Sequence, residues 1–409
     1  MFRKEAFFTD FGLAVKNGVV KNIFKKGGSK SIRMVDDMLI FAIGQRASDV
    51  HLEPMGTEAR IRLRIDGKLQ DYGFIDNGTY LSWLSRLKIV GGLDIGEKRL
   101  PQDGHLEMES LKADLRIATL PTTLGEKVAI RILSNEQRFL SLDKLHFLPQ
   151  NAEKYKKLYT APNGMILLTG PTGSGKTTTL YATLNELNKN NVNIVTIEDP
   201  AEYKLVGINQ VNVNLRAGLT FAKGLRSIVR QDPDIIMVGE IRDEETAAIG
   251  LQAALTGHLV FSTLHTNTAI GAVSRLLDMG IPRYLLAAAL RGVVGQRLVR
   301  KICPRCITTY KASVAEKELL GIDGRKNVLL SRGTGCPHCN GTGYNGRIAL
   351  HEVFAVSTEL GSIISQGVSE QSLMKNAAAE GFEGVRKDAV AKVLDGYTTI
   401  MELMQEGIL

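Results

Sequence analysis

The sequence lacks any long apolar run. Among its 409 residues no stretch approaches the roughly 18 uninterrupted apolar residues that a membrane-spanning helix needs, so we expect no segment to cross a bilayer. The first 30 residues also lack a continuous apolar segment and a small-residue cleavage site, which argues against a secretory signal. These absences predict a cytoplasmic protein.

Aromatic residues are few, and no run interleaves them with basic residues, although the formal net charge is +8. Because such interleaving is typical of surfaces that bind single-stranded nucleic acid, we predict no specific nucleic-acid partner. Part of the positive charge lies in residues 1–33. We interpret this basic leader as a solvated arm, or as a segment that contacts anionic lipid or nucleic acid.

Cysteine is also scarce, and all four cysteines fall within one short region. They form two C-x-x-C pairs, Cys303 with Cys306 and Cys336 with Cys339. Two such pairs direct four thiolates at one ion, which predicts a closed, structural Zn²⁺ site. An iron–sulfur centre and simple reduced thiols are the alternatives.

Residues 170–177 read GPTGSGKT and match the phosphate-loop pattern G-x-x-x-x-G-K-[ST]. The match follows the apolar run Met165–Leu168 and precedes a helical pattern over Thr178–Leu187. A glycine-rich turn there directs backbone N–H groups at phosphates, so we predict ATP binding. Lys176 is expected to reach the β- and γ-phosphates, and the Thr177 hydroxyl to hold Mg²⁺. The predicted nucleotide-binding residues of this loop are Gly170, Pro171, Thr172, Gly173, Ser174, Gly175, Lys176, Thr177 and Thr178.

The pattern of apolar residues predicts two folded parts after the leader. Residues 34–147 alternate helical and strand-like segments, including a strand over Ala59–Leu69 that turns at Asp66-Gly67, which predicts a mixed α+β domain. Residues 148–409 alternate short apolar runs with helices, which predicts an α/β fold with a parallel sheet and ligands at the carboxyl ends of its strands. The predicted strands of that sheet are Met165–Leu168, Asn193–Ile197, Asp234–Val238 and Leu259–Ser262.

Acidic residues follow two of these strands. Glu240 comes just beyond Asp234–Val238, where a carboxylate can polarise the attacking water, and it is our candidate catalytic base. A helix-capping acid is the alternative. Glu198 follows a second strand and is a candidate to position water or to hold Mg²⁺ through water, although acidic loop residues are common.

Histidines and arginines complete the set of candidates. His258 and His265 bracket the strand Leu259–Ser262 and could sense the γ-phosphate, or could be hydrogen-bonded core histidines. Positive charge on the γ-phosphate is often supplied by a neighbouring subunit. Four arginines are candidates for this role, with an exposed helix face as the alternative for the last two: Arg116, Arg131, Arg226 and Arg230.

The order of these segments resembles the type II/type IV secretion ATPases. Four segments of this chain resemble named motifs of that family: residues 170–177 the Walker A loop, 197–200 the Asp box, 232–243 the Walker B segment and 256–267 the His box. The first domain adds the matching segments 47–54, 62–67 and 100–104. The resemblance covers about residue 34 to the end and is strongest to the general secretion pathway E and type IV pilus assembly B branch.

The resemblance implies a RecA-like ATPase core, preceded by a PAS-like domain, with a zinc-binding insertion at about 300–347. It further implies a homo-hexamer, peripherally associated with the cytoplasmic face of the inner membrane, that acts on an integral-membrane platform protein. A cytoplasmic membrane-anchoring component is a further implied partner. By position, Arg116 and Arg131 resemble arginines that the PAS-like domain presents to the nucleotide, and Arg226 and Arg230 resemble core arginines near the phosphates. The four cysteines resemble those of assembly motors, which retraction motors lack.

Three alternatives to an assembly motor remain at this point: a RecA-like nucleic-acid translocase, a scaffold that binds ATP with little turnover, and a pilus retraction motor. The chain also departs from the family pattern at His105, where relatives usually have arginine. A phosphate-facing or interface charge is therefore expected to be missing.

Overall fold

The structure is a computed structural model that describes residues 30–108, 111, 113–134, 141–367 and 369–409, and of residues 30–33 and 134 the backbone only. Residues 1–29 of the predicted leader lie outside the described residues. The chain divides into two compact units, Met1–Arg138 and Phe139–Leu409. Each unit has a sheet of its own.

The first unit contains a six-stranded antiparallel sheet in the order β3-β2-β1-β6-β5-β4. Alternate residues of its strands are buried against the two helices, around Trp83 and Tyr80, while the other face carries charged residues. The prediction of an α+β domain is confirmed. The elements are α1 (Lys30–Gly44), β1 (Ala47–Pro54), β2 (Glu58–Ile65), β3 (Lys68–Asp76), α2 (Asn77–Val90), β4 (Gln102–Met108), β5 (Ala113–Thr122) and β6 (Gly125–Ser134).

The predicted strand Ala59–Leu69 proves to be a hairpin of β2 and β3. Its turn is Asp66-Gly67, and both residues have positive φ, 50° and 86°. Two successive residues in this conformation match the right-handed twist of the flanking strands, which is why an Asp-Gly pair suits a tight hairpin. The predicted turn position is confirmed.

The second unit contains a seven-stranded sheet whose strands lie in the order β15 (Tyr344–Ala355), β12 (Leu290–Ile302), β7 (Gly164–Thr169), β11 (Leu259–Leu264), β10 (Ile235–Val238), β8 (Ile194–Glu198) and β9 (Asn209–Asn212). Only β15 runs antiparallel to its neighbour. The four predicted strands are confirmed. Its elements up to the sheet's last parallel strand are α3 (Pro149–Tyr159), β7 (Gly164–Thr169), α4 (Lys176–Leu187), β8 (Ile194–Glu198), β9 (Asn209–Asn212), α5 (Phe221–Ile228), β10 (Ile235–Val238), α6 (Glu244–Leu255), β11 (Leu259–Leu264), α7 (Gly271–Asp278), α8 (Arg283–Ala289) and β12 (Leu290–Ile302).

The remaining elements form a C-terminal region that ends the sheet and extends beyond it. They are β13 (Ile307–Lys311), α9 (Val314–Leu319), β14 (Leu329–Gly333), β15 (Tyr344–Ala355), α10 (Thr358–Gln366), α11 (Glu370–Ala379), α12 (Val385–Leu394) and α13 (Ile400–Gln405). Short 3₁₀ helices span Leu142–Leu145, Leu215–Ala217 and Pro337–Cys339. None of the helices in the described ranges is long and apolar enough to cross a membrane.

The central strands of this sheet are buried on both faces. Met165 and Leu167 of β7 belong to one apolar cluster, whereas Ile166 and Leu168 belong to another. Because successive side chains of a strand point to opposite faces, both faces must be covered by other elements. The continuous apolar runs in the sequence reflect this double burial, and they leave the carboxyl ends of the strands for polar residues.

Candidate functional site

The phosphate loop connects the carboxyl end of β7 to the first turn of α4. Gly170, Gly173 and Gly175 have φ values of 146°, 78° and 87°, a region that residues with a side chain rarely adopt. A Cβ atom on Gly170 would lie 2.2 Å from the carbonyl oxygen of Gln296, so this position excludes any side chain. The loop therefore presents its backbone at the N-terminus of α4, where partial positive charge favours an anion. Thr177 and Thr178, both half-buried, follow on that first turn.

Lys176 is buried, and its ammonium donates hydrogen bonds to the loop's own carbonyl oxygens. The distances from Nζ are 2.7 Å to Gly170 and 3.1 Å to Pro171. Burial lowers the pKa of Lys176 to about 8, and the nearby Glu240 carboxylate opposes that shift. The Ser174 hydroxyl is also buried and has no hydrogen-bond partner among the described residues. A charged ammonium and an unpartnered hydroxyl within one glycine-rich turn fit a bound polyphosphate.

Glu240 lies directly beyond β10 and is held from both sides by backbone hydrogen bonds. The N–H of Gly239 donates to Ile197 at 2.8 Å, and the N–H of Ile241 donates to Thr263 at 3.0 Å. The Glu240 carboxylate accepts a hydrogen bond from Arg242, and this contact raises the pKa of the Arg242 guanidinium. Glu240 therefore presents a hydrogen-bond-accepting carboxylate at the carboxyl edge of the sheet, where a proton-accepting base is needed.

His265 follows β11 and reaches the same edge. Its Nε2 lies 3.7 Å from a carboxylate oxygen of Glu240. Burial and the positive charge of Lys176 lower the pKa of His265, so its imidazole is neutral near pH 7. The structure thus brings together three predicted site residues: Lys176, Glu240 and His265.

A cavity of about 540 Å³, a size typical of small-molecule sites, opens beside Glu240 and His265. Thr172 of the phosphate loop is part of its wall, together with Glu240 and His265. Two cations that the sequence did not single out, Arg242 and Arg275, line it as well. The cavity can therefore receive an anionic group next to the phosphate loop.

Glu198 is the last residue of β8 and is almost completely buried. Its carboxylate accepts hydrogen bonds from the Tyr181 hydroxyl, from Thr196 at 2.7 Å and from Gln210 at 3.0 Å. These donors hold the carboxylate in place at the predicted edge of the sheet. Oε1 accepts from two of these donors and Oε2 from one, which leaves a further acceptor position on Oε2.

Gln296 of β12 is a contact of the phosphate loop that the sequence did not reveal. Its Nε2 donates to the Ser174 carbonyl at 2.8 Å, and its Oε1 accepts from the Thr179 hydroxyl at 2.7 Å. The side chain is buried, and it fixes both the loop and the first turn of α4. Gln296 is more than a hundred residues from the phosphate loop in the sequence and belongs to no local motif. It reaches the loop because its strand, β12, pairs with β7.

His258 lies at the opposite end of β11 from His265. The strand between them has six residues, or about 20 Å, and its carboxyl end is the one beside the phosphate loop. Nδ1 of His258 is 2.9 Å from the carbonyl oxygen of Ala253. The structure therefore does not bring His258 to the phosphate loop, and its contacts are those of a hydrogen-bonded structural histidine.

Arg226 lies in the last turn of α5, and Arg230 lies just beyond the end of that helix. Arg226 pairs with Glu245 of α6 at 2.5 Å, and Arg230 donates to the carbonyl oxygen of Arg226 at 2.8 Å. Glu245 lies in the first turn of α6, which follows the carboxyl end of β10, whereas Arg230 lies on the segment that leads into the amino end of β10. Arg226 is thus held by a neighbouring helix.

Arg116 and Arg131 belong to the first unit and face each other across β5 and β6. His105 lies opposite Arg116, and Asp49 lies opposite Arg131. The Asp49 carboxylate accepts from Arg131 Nε at 3.2 Å and lies 3.5 Å from Arg64 Nε. A row of charged and titratable residues therefore crosses five strands on the polar face of this sheet.

The four cysteine sulfurs form one cluster, with every sulfur within 4.8 Å of the others. Three of the Sγ–Sγ distances are 3.7, 3.8 and 3.9 Å. Four thiolates about 2.3 Å from a tetrahedral Zn²⁺ are about 3.8 Å apart, so this donor set fits the ion. The backbone N–H groups of Cys336 and Gly343 point at Cys339 Sγ, at 3.2 and 3.3 Å. Such donors stabilise a metal-bound thiolate.

Comparison with known proteins connects this geometry to named relatives. The chain is 45% identical to the type II secretion system ATPase E of Vibrio cholerae over 376 residues, which cover 91% of this chain and 75% of that protein. It is 42% identical to the type IV pilus assembly ATPase PilB of Thermus thermophilus, with 97% of this chain and 47% of that protein covered.

Solved structures of similar fold include the pilus retraction motor PilT with bound ADP, at 26% identity and a TM-score of 0.61, covering 90% of this chain and 95% of that one. The ATPase DotB of Legionella pneumophila reaches a TM-score of 0.70 at 21% identity, covering 95% and 99%. The family model described as type II/IV secretion system protein matches residues 25–405. This chain therefore belongs to the type II/IV secretion system protein family.

Proposed function

We propose that this chain is the ATP-hydrolysing motor that powers assembly of a type IV pilus or a type II secretion pseudopilus. Its relatives are secretion ATPases and a pilus assembly ATPase, and it is an ATPase of that family. The observation that carries the proposal is that Glu240 and His265, which line one open cavity together with Thr172 of the phosphate loop, both interact with the charge of Lys176. This arrangement supplies a phosphate-binding cation and an acceptor for a proton in the same place.

In the proposed reaction a water oxygen attacks the γ-phosphorus of ATP, and the bond from that phosphorus to the bridging oxygen breaks. The water gives its proton to the Glu240 carboxylate, while the Lys176 ammonium and the loop N–H groups neutralise charge on the phosphates. Mg²⁺, with the Thr177 hydroxyl as its expected protein ligand, supplies further charge neutralisation when bound. His265 is placed to respond to the γ-phosphate, since it lies beside both Lys176 and Glu240.

We further propose a homo-hexamer in which each nucleotide site is completed by a neighbouring copy. Arg226 is paired with Glu245 and Arg230 with the carbonyl oxygen of Arg226, and we propose that both act on the phosphates bound by a second copy of the chain. Arg116 and Arg131 are proposed to act on the nucleotide from the first unit, which the resemblance describes as PAS-like. Rings of identical subunits are a common way to build such shared sites.

The cellular setting is proposed from the relatives. The ring is placed at the cytoplasmic face of the inner membrane, bound to an integral-membrane platform protein and, as a further partner, a cytoplasmic anchoring component. The cysteine cluster is proposed to hold a structural Zn²⁺, and four cysteines are the feature that favours assembly over retraction. The retraction motor PilT is also the less similar relative, at 26% identity against 45% for the secretion ATPase.

The proposal is tested by phosphate release from the full chain with Mg²⁺ and ATP, beside Lys176→Ala and with or without single-stranded DNA at moderate salt. We expect hydrolysis that Lys176→Ala abolishes and that DNA leaves unchanged. Strong stimulation by DNA would instead favour a nucleic-acid translocase. Binding of ATP without turnover would favour the scaffold.

A further inference from the structure

Glu352 of β15 is a carboxylate that the proposed reaction does not use and that is almost completely buried, with 4% of its surface exposed. Its Oε1 accepts a hydrogen bond from the N–H of Ala269 at 2.5 Å. Its Oε2 accepts one from the N–H of Val385 at 2.8 Å. Burial raises the pKa of Glu352, and these two N–H donors oppose the shift. One side chain thus joins two segments that are far apart in the sequence.

The neighbouring strand leaves room for this carboxylate. Gly295 of β12 lies directly opposite Glu352, and a Cβ atom at Gly295 would lie 2.6 Å from Glu352 Oε1. On its other side Gly295 pairs with Thr169, the last residue of β7 before the phosphate loop. Glu352 is therefore two strands away from the start of the phosphate loop, at the same level of the sheet.

The segment Thr266–Ala269 connects His265 to Glu352. At its start the N–H of Thr266 donates to the Thr169 hydroxyl, and that hydroxyl donates to the Thr266 carbonyl, both at 3.0 Å. At its end Ala269 donates to Glu352. The segment is consequently fixed at one end to the strand that leads into the phosphate loop, and at the other end to β15.

The second partner of Glu352 is the first N–H group of α12. Gly384, which has no side chain, precedes this helix, so Glu352 supplies from another element the acceptor that an N-cap side chain usually provides. Two further buried contacts join α12 to β15. Asp388 accepts from the N–H of His351, and Lys392 donates to the carbonyl of Ala349, both at 2.5 Å.

We propose that Glu352 is a positioning residue that couples the Thr266–Ala269 segment, and with it His265, to helix α12. A change in the nucleotide at the phosphate loop then moves α12 through this carboxylate. The proposal rests on the ATP site proposed above. It assigns to α12 the role of an output element, through which the state of the nucleotide reaches the C-terminal region.

The matched variants are Glu352→Gln and Asp388→Asn. In Glu352→Gln an NH₂ group replaces one oxygen and faces an N–H donor, so one of the two contacts is lost. We expect kcat to fall about 10-fold and KM for ATP to stay within about 2-fold, because positioning is lost while the phosphate loop is intact. Asp388→Asn weakens the attachment of α12 to β15 without touching Thr266–Ala269. It is expected to lower Tm and to keep kcat within about 2-fold.

The coupling itself is measured by amide hydrogen exchange of the full chain, with Mg²⁺ and either ADP or a non-hydrolysable ATP analogue. We expect exchange in residues 385–388 to differ between the two nucleotides in the wild type and not in Glu352→Gln, with the response of residues 170–177 retained in both. An identical response of 385–388 in the variant would overturn the proposal. Glu352→Asp, which keeps both acceptors, is expected to restore part of kcat.

The wild-type measurement decides the proposal even where Glu352→Gln does not fold. If amide exchange differs between the two nucleotides at residues 170–177 but not at residues 385–388, the coupling to α12 is wrong and the nucleotide site still stands. If exchange differs at neither segment, the nucleotide site is contradicted as well.

Discussion

At the scale of single residues, Lys176 shows how the fold changes the chemistry of a side chain. Its ammonium is buried among the carbonyl oxygens of Gly170 and Pro171, and burial lowers its pKa to about 8. Above that pH the free protein loses the proton. A bound triphosphate places negative charge beside the ammonium, which raises the pKa again.

Binding of ATP at about pH 8.5 is therefore expected to take up a proton, and the affinity is expected to weaken as the pH rises above about 8. Calorimetric titrations in buffers of different ionisation enthalpy measure this uptake. In Lys176→Arg the guanidinium stays charged throughout, so the uptake is expected to disappear. The same uptake in both proteins would assign the proton to another group.

The phosphate-loop residues could be predicted from the sequence because they are contiguous and their chemistry depends on the backbone of one turn. His258 and His265 could not be separated in that way, since both flank the same strand. Only the parallel pairing of β11 with β7 shows that His265 lies at the edge of the sheet that carries the phosphate loop. Glu240 was predicted from its position after a strand, whereas only the structure shows its contact with Arg242.

At the scale of elements, the strands β12 and β15 carry the two buried residues near the phosphate loop that the sequence did not reveal. Apolar runs predicted β7, β8, β10 and β11, because those strands are short and buried on both faces. The antiparallel pair β12–β15 lies at residues 290–302 and 344–355, separated by the cysteine region, and only pairing in three dimensions joins the two strands. Gln296 and Glu352 both lie on this pair.

Replacing Gln296 by Leu is expected to weaken ATP binding about 10-fold and to lower Tm. The change removes two buried hydrogen bonds, each worth about 1 kcal/mol, and leaves the Ser174 carbonyl without its donor. Gln296→Glu keeps the acceptor for Thr179, but it replaces the donor to Ser174 by a charged oxygen, so ATP affinity is expected to fall further in this variant. Unchanged affinity and Tm in Gln296→Leu would show that the loop holds its shape without this contact.

The cysteine cluster gives a second prediction at this scale. We expect the purified chain to contain one Zn²⁺, and Cys303→Ser to lose it and to melt at a lower temperature, because a structural ion contributes to folding free energy. Metal analysis and thermal unfolding of both proteins measure this. Full metal content together with an unchanged Tm would remove the four-cysteine site from the account.

At the scale of the whole molecule, the chain consists of two units with separate sheets, and the candidate arginines are divided between them. Arg116 and Arg131 lie on the polar face of the first sheet, whereas Arg226 and Arg230 lie in and just beyond the helix α5 of the second unit. From contrasting patterns the sequence predicted two domains with a boundary near residue 147, whereas the structure divides the chain after Arg138. It could not show on which subunit's nucleotide each arginine acts, since that depends on contacts between copies.

A shared site predicts complementation between two inactive variants. Lys176→Ala and Arg116→Ala are each expected to lose hydrolysis, whereas rings assembled from an equal mixture should regain up to about a quarter of the wild-type rate, at sites that combine an intact Lys176 with a neighbour's Arg116. Mixing Lys176→Ala with the double variant is the control and should recover nothing. Full activity of Arg116→Ala alone would exclude the arginine from the site.

We propose that ATP is hydrolysed at the phosphate loop with Glu240 as the base. Phosphate release and ATP binding, measured side by side for the wild type and Glu240→Gln, separate hydrolysis from binding. We expect Glu240→Gln to bind ATP with near-normal affinity while its turnover falls at least about 10²-fold, because the variant cannot accept the proton of the attacking water. Near-normal turnover in Glu240→Gln would exclude Glu240 as the base.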